Sequence, residues 1–302
     1  MFSTILNTVK GATTLLVMSV YTILLCLVLL LFAIGKLLAP TRKIRDFFSR
    51  ILTGVVELWS GMNNFMMSLN RKTEWDVEIP ERLNHKGSYM VQCNHQSWVD
   101  ILALQNCFNR KLPMLTFFIK KQLIYVPFLG LAWWALDFPF MQRLSREQIA
   151  KNPGLKGKDL ESARIACEKL KGIPVAMMSF PEGTRFSPTK RDKTRSPYHN
   201  LLKPKVGGIG MVLYALGDKL HSMIDVTIAY PNRDDKEHAP TFWELLSGQV
   251  PKVVIRAREL EIPKQLLGRN FRSDRDIRRE LDSWVSEIWL EKDSLLTQLK
   301  AS

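Results

Sequence analysis

Ser88-Tyr89-Met90-Val91-Gln92-Cys93-Asn94-His95-Gln96-Ser97-Trp98-Val99-Asp100-Ile101-Leu102-Ala103-Leu104-Gln105-Asn106-Cys107-Phe108 changes character twice. Ser88 to Cys93 is a short, largely apolar run and reads as a strand. Ile101 to Phe108 reads as a helix, with Ser97 or Asn94 available as its N-cap. Strand, polar turn and helix in that order form the repeating unit of an α/β domain. The same alternation continues outward. Leu115 to Ile119, Phe138 to Gln142, Ile173 to Ser179, Ile224 to Tyr230 and Lys252 to Ala257 are strand candidates. Asp159 to Lys171 is an amphipathic helix ended by Gly172, and Asp274 to Leu299 a long polar-faced one. Leu123 to Leu136 is apolar and aromatic, with Trp133 and Trp134 adjacent. No internal repeat or low-complexity tract interrupts the pattern. The polar stretch Ser187 to Asn200 is the best candidate for a mobile loop.

The 302 residues suffice for one large domain or two small ones. Lys and Arg number 43 against 29 Asp and Glu, a net charge of +14. Such a field favours an anionic partner: nucleic acid, an acidic lipid surface, a phosphorylated substrate or an acidic carrier protein. The interleaved aromatic and basic residues of nucleic-acid modules are missing, so nucleic acid is not expected. Cys26, Cys93, Cys107 and Cys167 show no close pairing, which points to neither a disulfide framework nor a metal site.

Leu15 to Ile34 is uncharged and almost wholly apolar. At about 1.5 Å per residue, about 20 residues cross a bilayer core of roughly 30 Å. The run exceeds the apolar region of a signal peptide and no cleavage site follows, so an uncleaved anchor is expected. Lys10 precedes it, while Lys36, Arg42, Lys43, Arg45 and Arg50 follow, which places the C-terminal side in the cytoplasm. Apolar residues from Phe47 to Leu69 recur at helical spacing. A helix in the membrane interface, the return arm of a two-helix anchor and a core helix all fit them. The expected organisation is a membrane anchor over 1–40, an interfacial or linker helix over 41–72 and the α/β domain over 73–302.

His95 falls between strand and helix, at the carboxyl end of a strand, where ligands of open α/β sheets gather. Asp100, one turn into the helix, is placed to fold back on the imidazole. A carboxylate on one ring nitrogen fixes the tautomer and leaves the other to accept a proton. The ordinary imidazole pKa near 6.5 suits a general base. Among five histidines a chance pairing of this kind is common, although only His95 has Asp at that spacing. Phe180-Pro181-Glu182-Gly183-Thr184-Arg185 ends the Ile173–Ser179 strand. Gly183 permits a tight turn, Arg185 can grip a phosphate, and turn amides can form an anion nest. The composition also suits a plain β-turn. Cys93 reads as a buried strand cysteine in preference to a nucleophile.

The two stretches together change the weighing. Asn94 with His95-x4-Asp100, followed roughly eighty residues on by Phe180 to Arg185, resembles the glycerolipid acyltransferases of the lysophosphatidate acyltransferase superfamily. Lys120-Lys121-Gln122-Leu123 and Val126-Pro127-Phe128-Leu129-Gly130 resemble the family's segment between its first two blocks. Phe140-Met141-Gln142-Arg143 resembles the second block. Asp225-Val226-Thr227-Ile228-Ala229-Tyr230 and the basic loop ending Leu202-Lys203-Pro204-Lys205 are similar to the lysocardiolipin and lysophosphatidylinositol acyltransferase branch, including its bacterial inner-membrane members. The likeness covers about residues 75–235. Gln122 and Gln142 depart from the usual glutamate and aspartate.

The resemblance implies a mixed sheet flanked by helices, with an N-terminal hydrophobic anchoring helix or a two-helix anchor. It implies acyl transfer from acyl-CoA or an acyl carrier protein thioester to the sn-2 hydroxyl of 1-acylglycerol-3-phosphate, at the cytoplasmic side of a bacterial inner membrane. His95 would be the base and Asp100 its orienter. Lys120 or backbone amides near Gly183 would meet the oxyanion. Asn94, Arg143, Glu182, Gly183, Thr184 and Arg185 would position the acceptor. The thioester is a co-substrate, and neither cofactor nor metal is implied. The partners are the bilayer, the lysophospholipid and the thioester donor. Reacylation of another lysophospholipid, a coenzyme-independent transacylase and a non-catalytic membrane-tethered anion binder are the competing readings.

Overall fold

The computed structural model describes residues 2–69, 72–126, 128–141, 158–168, 170, 173–232 and 238–301, with residues 151 and 154 besides. Two long helices open the chain, α1 (Phe2–Leu38) and α2 (Arg42–Leu69). They form an antiparallel hairpin. Tyr21 Oη donates to Asn63 Oδ1 at 2.6 Å, Trp59 Nε1 to Thr22 Oγ1 at 2.9 Å, and Phe32 packs on Phe48. Within α1, Ile5–Leu38 is long and apolar enough to cross a membrane by length and composition.

The body is an α/β fold around one six-stranded sheet. Its strands are β1 (Glu74–Glu78), β2 (Ser88–Cys93), β3 (Leu115–Thr116), β6 (Val175–Ser179), β7 (Ser222–Ala229) and β8 (Lys252–Leu260), in the order β1-β8-β7-β2-β6-β3. β3, β6, β2 and β7 run parallel; β8 is antiparallel to β7 and parallel to β1, so the sheet is mixed as expected. β2 and β7 are buried at every position, which explains why their sequences read as continuous runs and not as alternating ones. One sheet face carries Met90, Met177 and Met223 into a core with α5 (Lys158–Glu168), α7 (Val206–Leu216) and α9 (Arg275–Ala301). The other carries Val91, Cys93, Met178 and Ile224 against α3 (Val99–Phe108), α8 (Phe242–Ser247) and the hairpin. Burying large apolar side chains of this kind is worth about 1.5–3 kcal/mol each.

Several local expectations are corrected. Leu115 to Ile119 is not one strand: β3 belongs to the main sheet, whereas β4 (Ile119–Lys120) pairs with β5 (Phe140–Met141) in a separate two-stranded one. Gln142 and Gly172 lie outside the described residues. The Ser187–Asn200 stretch is not a mobile loop throughout. It opens with helix α6 (Pro188–Thr194), capped by Ser187, whose side chain accepts from the Lys190 amide, with proline in the first turn. A 3₁₀ turn (Lys121–Tyr125) and α4 (Leu129–Ala135) account for the aromatic segment. Neither Ser97 nor Asn94 is the N-cap of α3; Trp98 occupies that place, and the Ser97 hydroxyl accepts from the Val99 amide.

Candidate active site

Because β2, β6 and β7 are parallel neighbours, their carboxyl ends share one edge of the sheet. His95 follows β2, Phe180–Arg185 follows β6, and Tyr230 follows β7. Three polar segments thus converge where an α/β sheet presents its ligand site.

His95 and Asp100 meet. The imidazole Nδ1 lies 2.9 Å from Asp100 Oδ2, with Asp100 fully buried and the His95 side chain 17% exposed. The same carboxylate oxygen accepts from the Gln96 and Ser97 amides at 2.6 and 2.9 Å, and Oδ1 accepts from the Tyr230 hydroxyl. A carboxylate held by four donors has little freedom, so it fixes the ring and leaves Nε2 as the nitrogen able to take a proton. Phe180 stacks on the ring at 4.1 Å between centroids with planes 21° apart. The His95 carbonyl accepts from the Phe186 amide at 2.7 Å, tying this loop to the turn after β6.

Glu182 belongs to the turn after β6. It is buried. One carboxylate oxygen accepts from the His95 amide at 2.7 Å and the other from the Leu202 amide at 2.9 Å. Burial pushes its carboxyl up to about 7, against the pull of those two amides and of the Lys292 charge. Both oxygens thus hold backbone amides, one of them that of His95. Asn94 also faces the backbone. Its carboxamide is buried and bonds both the amide and the carbonyl of Ile228 at 2.9 Å, stitching the His95 loop to β7. Gln96 Nε2 reaches the same carbonyl at 2.7 Å.

Gly183, Thr184 and Arg185 are exposed. Gly183 sits at φ +71°, and its amide closes the turn onto the Phe180 carbonyl, so that amide is not free for an oxyanion. The Arg185 guanidinium lies 5.5 Å from the ring centroid of the exposed Trp98. Lys190 Nζ holds the Thr184 hydroxyl and the Arg185 carbonyl, each at 2.9 Å, so part of the basic stretch is spent on its own turn. Lys120 is exposed on β4, four residues beyond the carboxyl end of β3. Arg143 lies outside the described residues. Cys93 is fully buried and burial pushes its thiol well above the ordinary range, which fits a packed strand residue and not a nucleophile. Among the described residues no cluster of His, Cys, Asp or Glu could hold a metal.

Sequence reading missed Tyr230, although its position just past the β7 run put it on the same sheet edge. It also missed Phe180 as the ring under His95, and Lys292, a lysine on the apolar stripe of α9.

A family model described as Acyltransferase matches residues 74–230. That is about half of the chain, it takes in both site segments, and the chain belongs to this acyltransferase family. Among curated proteins, the 2-acyl-1-lysophosphatidylinositol acyltransferase of Saccharomyces cerevisiae is 26% identical over 261 residues, covering 73% of this chain and 64% of that protein. The 1-acyl-sn-glycerol-3-phosphate acyltransferase 3 of Arabidopsis thaliana is 22% identical, covering 73% and 56%. Lysocardiolipin acyltransferase 1 of Danio rerio is 25% identical, covering 68% and 51%. The chain therefore spans about half to two thirds of the length of these relatives. The crystal structure of the 1-acyl-sn-glycerophosphate acyltransferase PlsC from Thermotoga maritima superposes with a TM-score of 0.50 at 16% identity, covering 95% of this chain and 97% of that one. This likeness concerns the fold.

Proposed function

We propose that the protein transfers a fatty acyl group from an acyl thioester to the sn-2 hydroxyl of 1-acylglycerol-3-phosphate, forming phosphatidic acid. The observation that carries this reading is the His95–Asp100 pair, braced from three strand ends, beside the exposed Thr184–Arg185 turn. His95 Nε2 takes the hydroxyl proton as the acceptor oxygen adds to the thioester carbonyl carbon. The carbon–sulfur bond then breaks, and the leaving thiolate receives that proton from the imidazolium. Such base assistance is worth about 10²–10⁴-fold. Arg185 pairs with the acceptor phosphate. Arg143 and Lys120 share in binding the acceptor and the developing oxyanion.

The names of the relatives favour a second acceptor, lysophosphatidylinositol or lysocardiolipin. The acyl donor is the thioester of coenzyme A or of an acyl carrier protein. We place the enzyme at the cytoplasmic face of a bacterial inner membrane, held by the α1–α2 hairpin. The test is a radiolabelled acyl thioester supplied to membranes carrying the full chain, with the three lysophospholipids offered singly. Labelled phosphatidic acid as the main product supports the first reading. Labelled phosphatidylinositol or cardiolipin selects the second, and no labelled product from any acceptor sinks both.

A further inference from the structure

Lys292 is a cation with no exposed side-chain surface, set on the C-terminal helix α9 beneath the site. Its Nζ lies 2.5 Å from the Val226 carbonyl, 3.3 Å from Thr227 Oγ1 and 2.8 Å from Asp225 Oδ1. Asp225 is also bonded by Gln92 Nε2 at 3.1 Å and by Arg258 Nε at 3.2 Å. A lysine at the core of a fold is unfavourable until its partners offset the lost hydration, and a methionine would fill this stripe of α9 without that cost. What the lysine grips is informative. Two residues beyond Val226, Ile228 holds both Asn94 and Gln96; four residues beyond it, Tyr230 holds Asp100. A second arm starts at Trp289, whose ring lies 5.4 Å from Lys292 Nζ. Its Nε1 donates to the Leu202 carbonyl at 3.1 Å, and the Leu202 amide bonds Glu182, which bonds His95.

We propose that Lys292 is a positioning residue for the catalytic histidine. It acts along β7 on the loop that carries His95 and Asp100, and through its charge on the Glu182 carboxylate. The inference rests on the acyltransferase reading of His95. The ionisable groups that act on Glu182 are Asp100 and Cys93 from the β2 side, with the His95 amide, and Lys292 from α9; Lys205 lies beside the neighbouring Gly183, where its Nζ would meet a Cβ. Among these Lys292 favours the Glu182 carboxylate while Asp100 opposes it. Without the cation, Glu182 keeps its proton to higher pH and can no longer accept from both amides.

The test compares the full-length wild type with Lys292→Met and with the neutralised pair Lys292→Met/Asp225→Asn. Lys292→Met should lower kcat by about 10- to 100-fold, the scale of a small misplacement of reacting groups. KM for the lysolipid should hold, and the acid limb of the pH profile should move to higher pH. The neutralised pair should regain thermal stability but keep the displaced limb. Should the pair restore the wild-type profile, or should Lys292→Met lose only stability, Lys292 is structural and the proposal falls. The His95 ring titration, followed by NMR on histidine-labelled protein and assigned with His95→Gln, decides the matter independently of turnover. A wild type that acylates no lysolipid overturns the acyltransferase reading, while an unchanged His95 titration in Lys292→Met overturns the positioning role.

Discussion

Both oxygens of Glu182 are spent on backbone amides, one of them that of His95, so its removal should reach the reaction through His95. Glu182→Gln can satisfy only one of the two amides with its oxygen, and its own N–H₂ faces the other. The expected outcome is a fall in kcat of about 10²-fold with little change in KM, read from initial rates over a range of lysolipid concentrations. The pH profile follows from the same group. Burial pushes its carboxyl up to about 7 and the bracing form is the carboxylate, so kcat should fall as pH drops through that value. In Glu182→Gln the share of this limb that Glu182 contributes is lost, and the remaining acid limb is that of the base itself. Tyr230→Phe removes the hydroxyl from Asp100 Oδ1, deep in the protein. An acceptor stranded in this way costs about 1–3 kcal/mol, measurable by thermal unfolding, and kcat should fall with it. The histidine and its aspartate were legible in the sequence because strand, loop and helix fix their mutual reach. Asn94 and Glu182 were legible as site residues, but the backbone groups they hold were not, since these depend on which amide or carbonyl each side chain meets across a gap of many residues.

The elements that escaped the sequence did so for physical reasons. β1 is an edge strand rich in charge, and its pairing with β8 is marked by ion pairs, Glu74 and Asp76 with Lys252 and Asp76 with Arg256, not by an apolar alternation. α7 carries Gly207, Gly208 and Gly210, which weaken any helical signal. At Gly210 the absent Cβ is what allows close approach: one there would come within 2.7 Å of Phe271 and 2.8 Å of Leu281. The turn after β6 uses its glycine differently. Gly183→Ala forces φ +71° on a residue with a Cβ and should cost about 1–2 kcal/mol. The loss should appear in the unfolding midpoint together with weaker acceptor binding, because the same turn presents Thr184 and Arg185.

At the scale of the whole molecule, α1 is laid along the body, not extended away from it. Near its start Asn7 accepts from Lys72 at 3.0 Å; near its end Lys36 reaches the Ala135 carbonyl and Asp137, each at 2.7 Å. Between those points it buries Met18, Tyr21, Leu29 and Ala33, while residues such as Leu16, Leu27 and Leu31 stay exposed along its outer side. A helix clasped at both ends by one domain suits a hairpin seated in a single leaflet better than a perpendicular span. In a Cys26→Ser background, Asn7→Cys should react with a membrane-impermeant maleimide from the cytoplasmic side; labelling only from the opposite face would mean that α1 crosses. The sequence announced this helix by its length and apolarity but held nothing about what its inner side would touch. If His95 draws the proton from a lysolipid hydroxyl, its removal must show in the transfer of a labelled acyl group to 1-acylglycerol-3-phosphate by His95→Ala. A loss of at least about 10²-fold is expected, with the protein folded and membrane-bound; transfer at the wild-type rate would remove His95 from the role of base.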